Sequence, residues 1–68
     1  MQVWCVDMDH NEVGYSSVET VAVCASENRA LQYVFESTGH WITNREDGCL
    51  TECIAGYDWS ICAVEVLE

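Results

Sequence analysis

The side chains best equipped for chemistry are five cysteines, Cys5, Cys24, Cys49, Cys53 and Cys62, and two histidines, His10 and His40. Thiolates and imidazoles bind zinc, and a thiol beside an imidazole can act as a nucleophile. Cys49-x-x-x-Cys53 with a histidine has the composition of a zinc site but not its spacing. On a strand those two thiols share a face about 13 Å apart, too far for one ion. Asp7-Met8-Asp9-His10-Asn11 matches the opening of a calcium loop, D-x-D-x-N. Glu12 then stands where glycine should, and Val18 where the bidentate acid should. Neither pattern amounts to a metal site, and no metal or cofactor is expected. No glycine-rich phosphate or oxyanion loop is present, and nothing sets a histidine beside a cysteine. No catalytic set emerges, and the chain reads as non-enzymatic. The cysteines are odd in number, which does not suit a closed disulfide framework. Four lie in or at the ends of apolar runs, so they are expected as free thiols packed as small hydrophobes.

Charge is the second chemical resource. Twelve carboxylates face only Arg29 and Arg45, with no lysine, for a net charge of −10. Such a surface repels nucleic acid and anionic membranes. It favours basic partners and salt-sensitive association with them. The carboxylates expected to meet such a partner are Glu19, Glu46, Asp47, Glu52, Asp58 and Glu65, placed on strands and in turns. Asp7, Asp9 and Glu12 gather around the first loop. Carboxylates on one face of a strand repeat about every 6.8 Å, and a folded sheet fixes them in space. Regular, fixed negative charge is also what DNA phosphates present to a protein. Trp41, Tyr57 and Trp59 flank turns, where an exposed ring inside an acidic rim would suit a binding hot spot.

The elements that position these residues are organised around one helix. Ser26 can cap its start, Glu27 suits the positive end of its dipole, and Gly39 can close it. Ala30, Leu31, Val34 and Phe35 recur at helical spacing, which predicts a helix over 27–38 with that stripe buried. Phe35→Ala is then expected to cost about 3–5 kcal/mol. Residues 2–8 read as a strand with Trp4, Val6 and Met8 inward and Val3, Cys5 and Asp7 on the wetter face. Residues 9–17, with Asp9, Asn11 and Gly14, read as a loop. Residues 18–25 are apolar on both faces, which suits a central strand. A short β-like stretch at 40–43 precedes a turn at 45–48, where Asp47-Gly48 is a strong hairpin signal. Strands at 49–55 and 59–67 flank a turn at 56–58. The expectation is a single α+β domain over 1–68. It consists of a four- to five-stranded antiparallel sheet with one helix on one face, in the order β-β-α-(β)-β-β. No apolar run approaches the roughly 20 residues that span a bilayer. MQVWCVD has no basic region ahead of an apolar stretch, so it is not expected to be a secretory signal.

In size, in lysine-free and carboxylate-rich composition, and in a sheet-plus-helix built around VETVAVCASENRALQYVFESTG, the chain resembles small acidic phage-encoded proteins. The resemblance is to anti-CRISPR proteins that act as DNA mimics. It implies an inhibitor that occupies the basic, motif-reading DNA cleft of a CRISPR surveillance complex in the host bacterial cytoplasm. It carries over no individual residue. Two other readings follow from the residues alone: a small Cys/His metal-binding module, and an acidic structural or assembly protein.

Overall fold

The computed structural model describes residues 1–12 and 15–67, with side-chain environments outside 11–17. Five strands and one helix follow in the order β1 (Gln2–Glu12), β2 (Tyr15–Cys24), α1 (Glu27–Thr38), β3 (Arg45–Glu46), β4 (Cys49–Ile54) and β5 (Tyr57–Glu65). The strands form one antiparallel sheet in the spatial order β2-β1-β5-β4-β3. The α+β class and the helix packed on one face are as expected from the sequence. Among the described residues no helix is long and apolar enough to cross a membrane.

The helix forms where its end signals place it. Ser26 Oγ accepts a hydrogen bond from the Arg29 amide at 3.2 Å, and Gly39, at φ 76°, donates its amide to the Phe35 carbonyl at 2.6 Å. Ala30 and Val34, four residues apart, are fully buried on the sheet with Val6, Leu50, Trp59 and Ile61. Phe35 is not buried. It is 36% exposed and stacks on Trp41 with ring centroids 4.4 Å apart. The apolar stripe is wider than the line of contact, and Phe35, about 100° around the helix from Val34, falls beyond it. The expected 3–5 kcal/mol for Phe35→Ala is therefore too large.

Four further expectations change. Asp9, His10, Asn11 and Glu12 belong to β1 rather than to a loop, and Tyr15–Ser17 belong to β2. A loop-like composition is tolerated in a hairpin arm because the ladder, not burial, holds it. The turn assigned to Gly14 lies outside the described residues. Next, β2 is an edge strand, not a central one. Its doubly apolar pattern arises because the register with β1 shifts between Val6↔Ala22 and Asp7↔Thr20. That bulge lets the neighbours Val21 and Ala22 both pack on the core. Third, residues 40–43 form no strand, and the short strand is β3. Ile42 nevertheless plugs the core at 3% exposure. Fourth, the second hairpin turns at Ala55-Gly56 rather than at 56–58, so β4 ends at Ile54, and β5 begins at Tyr57 and stops at Glu65.

Both two-residue turns have positive φ at each position: 51° and 80° at Asp47-Gly48, and 52° and 87° at Ala55-Gly56. This is the hairpin turn whose twist matches that of its strands. Asp47 suits it. Ala55 does so at a steric cost, because its Cβ crowds the carbonyl in a left-handed conformation.

Candidate functional site

One helix covers one face of the sheet, and the register defines what lies on the other. Residues opposite each other across a ladder share a face, and alternate residues of a strand share it too. With Val6, Trp59, Ile61 and Leu50 under the helix, Val3, Cys5, Asp7 and Asp9 of β1 point the other way. Row by row, this open face carries Val3 beside Val64, then Val23, Cys5, Cys62 and Cys49. Thr20, Asp7, Ser60 and Thr51 follow, then Val18, Asp9, Asp58 and Cys53. No described helix or loop residue belongs to the buried core on that side. Val18 and Val23 are 65% and 62% exposed.

The face is divided. Its Val3–Val64 end is apolar and sulfur-rich, and the opposite end is acidic. Asp7 Oδ1 accepts a hydrogen bond from Thr20 Oγ1 at 2.6 Å, which fixes one carboxylate across β1 and β2. Asp9 and Asp58 stand directly opposite each other on β1 and β5. Like charges in that relation destabilise a sheet. Asp9 Oδ1 is also buried without a hydrogen-bond partner. The fold thus holds three carboxylates, two of them directly opposite each other, on two adjacent interior strands.

The six carboxylates picked from the sequence are dispersed. Asp58 lies on the open face. Glu46 and Asp47 sit exposed at the β3–β4 turn, on the far edge of the sheet. Glu19, opposite Met8, is exposed on the other edge and on the helix side. Glu52, opposite Trp59, is also on the helix side and contacts His40 Nε2. Glu65 lies 3.0 Å from the amino group of Met1. Arg45 reaches Glu27 at 2.7 Å, so one of the two arginines is already paired. Asp7, read in the sequence on the wetter face of the first strand, and Asp9, read in the loop after it, are the residues that join Asp58. Their alternation with Val6 and Met8 held the signal, but their neighbours on β5 depend on topology.

The cysteines also depart from expectation. None is fully buried: Cys5 and Cys24 are half-buried and Cys53 is exposed. Cys49 and Cys62, opposite each other on β4 and β5, are joined by a disulfide with Cα atoms 4.7 Å apart. Cys49 is therefore not available for a metal set with Cys53, and His40 lies on the other side of the sheet. Among the described residues no three His, Cys, Asp or Glu side chains converge to hold a metal ion. A cleft of about 430 Å3 opens under the end of the helix, lined by Met8, His10, Thr38, Ile54, Tyr57 and Trp59 among others. There the His10 and Tyr57 rings meet edge to face at 5.1 Å. Trp41 and Tyr57 are exposed as turn-flanking rings, whereas Trp59 belongs to the core.

No protein-family model matches the chain, and no curated protein or solved structure matches it. The functional reading rests on the open face.

Proposed function

We propose that this protein is a non-enzymatic acidic inhibitor that engages the basic surface of a nucleic-acid-binding protein through the open face of its sheet. The observation that carries this reading is the placement of Asp7, Asp9 and Asp58 on two hydrogen-bonded central strands, with exposed valines beside them. Rigid carboxylates meet arginine and lysine without ordering cost, and the valines supply apolar area that a charged rim alone lacks. Lysine is absent, Arg29 is on the helix and Arg45 stands opposite the covered-face Leu50, so the open face is single-signed and steers a cationic partner toward it. In this role the carboxylates act as phosphate surrogates. The resemblance to anti-CRISPR DNA mimics makes the DNA cleft of a CRISPR surveillance complex, in a bacterial cytoplasm, the first partner to test. Glu46 and Asp47 at the sheet edge add long-range attraction rather than direct contact.

The experiment is binding of the labelled protein to RNA-loaded surveillance complexes, with duplex DNA bearing the recognition motif as competitor. The expected result is mutual exclusion with DNA and an affinity that falls as salt rises. Simultaneous occupancy by DNA and protein, or no complex at low salt across several complex types, contradicts the proposal.

A further inference from the structure

Cys5, Cys62 and Cys49 form a single row across three adjacent strands. Cys62 on β5 lies between Cys5 on β1, its ladder partner, and Cys49 on β4, its disulfide partner one step beyond the Leu50↔Ile61 pair. We infer that Cys62 is a shared disulfide partner, and that its bond exchanges between Cys49 and Cys5. The argument does not depend on the proposed basic partner, since it needs only this chain.

Exchange requires a thiolate to attack one sulfur of a disulfide while the other sulfur leaves. Here the attacking and leaving sulfurs belong to strands on opposite flanks of Cys62, so Cys5 approaches Cys62 from the side away from Cys49. The attacking and leaving groups thus flank Cys62 on opposite strands, the relation an in-line displacement requires. Cys5 gives up its proton and its Sγ bonds to Cys62 Sγ. The Cys49–Cys62 bond breaks, and Cys49 leaves as a thiolate that takes up a proton. One S–S bond is lost and one is formed, with no net oxidation. Cys5 carries a free thiol on a half-buried residue. Cys24 and Cys53 lack this relation: Cys24 pairs with Trp4, on the covered face, and Cys53 pairs with Asp58.

Strand geometry also distinguishes the two pairs. The two-residue turns at 47–48 and 55–56 fix which cross-strand pairs are hydrogen-bonded, and they make Cys49–Cys62 a non-hydrogen-bonded pair. The 4.7 Å between its Cα atoms agrees. On an antiparallel strand the backbone groups of Cys62 then point to β1. Cys5–Cys62 is accordingly the wider pair, at about 5.5 Å. Both separations lie within the range a disulfide spans; Cys49–Cys62 is the bond the structure holds, and Cys5–Cys62 is the form reached by exchange.

The test uses the oxidised full chain as a monomer at pH 8 without reductant. Brief pulses of N-ethylmaleimide are followed by cleavage at acidic residues and mass spectrometry. The wild type should label at its free thiols Cys5, Cys24 and Cys53, the exposed Cys53 first, with a minor share at Cys49 and none at Cys62, and Cys5→Ala should abolish the Cys49 label. Cys49→Ala should form the Cys5–Cys62 bond in a glutathione redox buffer and keep two free thiols. Cys62→Ala should keep all four of its thiols free. No Cys49 label in the wild type overturns the inference, as do four free thiols in Cys49→Ala or a bond from Cys62 to another cysteine.

Discussion

The two faces of the sheet are built from the same strands and put to opposite use. Under the helix, Val6, Leu50, Trp59 and Ile61 close around Ala30, Val34 and Ile42, and no polar or charged residue is buried among them. On the other side the same sheet carries exposed valines, a half-buried row of sulfur and three half-buried aspartates. Among the described residues the 12-residue helix packs on one face of the five-stranded sheet and leaves the other without a covering element. The covered face stabilises the fold, and in the proposed reading the open face serves recognition and thiol chemistry, so that the pleat of β1 and β5 would separate stability from function.

Substitutions on the two faces should differ sharply if this division holds. Ile61→Ala, on the covered face at 2% exposure, should cost about 2–5 kcal/mol. A domain of this size has a stability of the same order, so the variant should be largely unfolded in thermal melts. Val23→Ala on the open face should change the midpoint little, within about 0.5 kcal/mol. Equal losses at the two positions would mean that the open face is covered after all. Reduction of the Cys49–Cys62 bond should cost about 2–4 kcal/mol, by releasing a loop of sequence separation 13. Denaturant titration with and without reductant reads this directly. Phe35→Ala should cost only about 1 kcal/mol, the scale of an exposed aromatic stack. A loss of 3 kcal/mol or more would put Phe35 back in the core.

The smallest effects test the site itself. Asp58→Asn removes the charge facing Asp9 and should raise stability by about 0.2–1 kcal/mol. A gain in stability with a loss of binding is the signature of a residue kept for recognition. Ala55→Asn should also stabilise, by about 0.5–1 kcal/mol, since asparagine tolerates the left-handed conformation that alanine resists. It does so at the β4–β5 turn, away from the aspartates, and should leave binding unchanged.

How much of this was legible in the sequence follows the range of each interaction. The helix could be placed from Ser26, Glu27 and Gly39 because capping is local. The Asp47-Gly48 turn was visible because both residues favour positive φ. Ala55-Gly56 was not, since alanine gives no such signal and the turn is imposed by the pairing of β4 with β5. Phe35 was misplaced because helical spacing gives a stripe but not the axis on which the helix docks. The loop-like DHNE segment was misread because its residues need only the ladder, not a core, to be extended. The disulfide and the aspartate cluster were beyond reach for a different reason. Both depend on β5 lying between β1 and β4, a long-range order that no spacing within a single strand reports. The alternation of Val3, Cys5, Asp7 and Asp9 against Trp4, Val6 and Met8 did mark the open face of β1. What it lacked was the neighbour.

The claim that recognition resides on the open face, rather than in net charge alone, is tested by two triple variants that remove equal charge. Asp7→Asn, Asp9→Asn and Asp58→Asn neutralise the open face. Glu19→Gln, Glu46→Gln and Asp47→Asn neutralise the edges and the helix side. Binding of each to the surveillance complex is measured at one salt concentration, after melts confirm that both are folded. The open-face variant should lose at least ten-fold in affinity, and the edge variant no more than two- to three-fold, as expected for rim charges that act mainly on association rate. Equal losses in the two variants would contradict the account, because diffuse charge would then explain the binding and the arrangement on β1 and β5 would not.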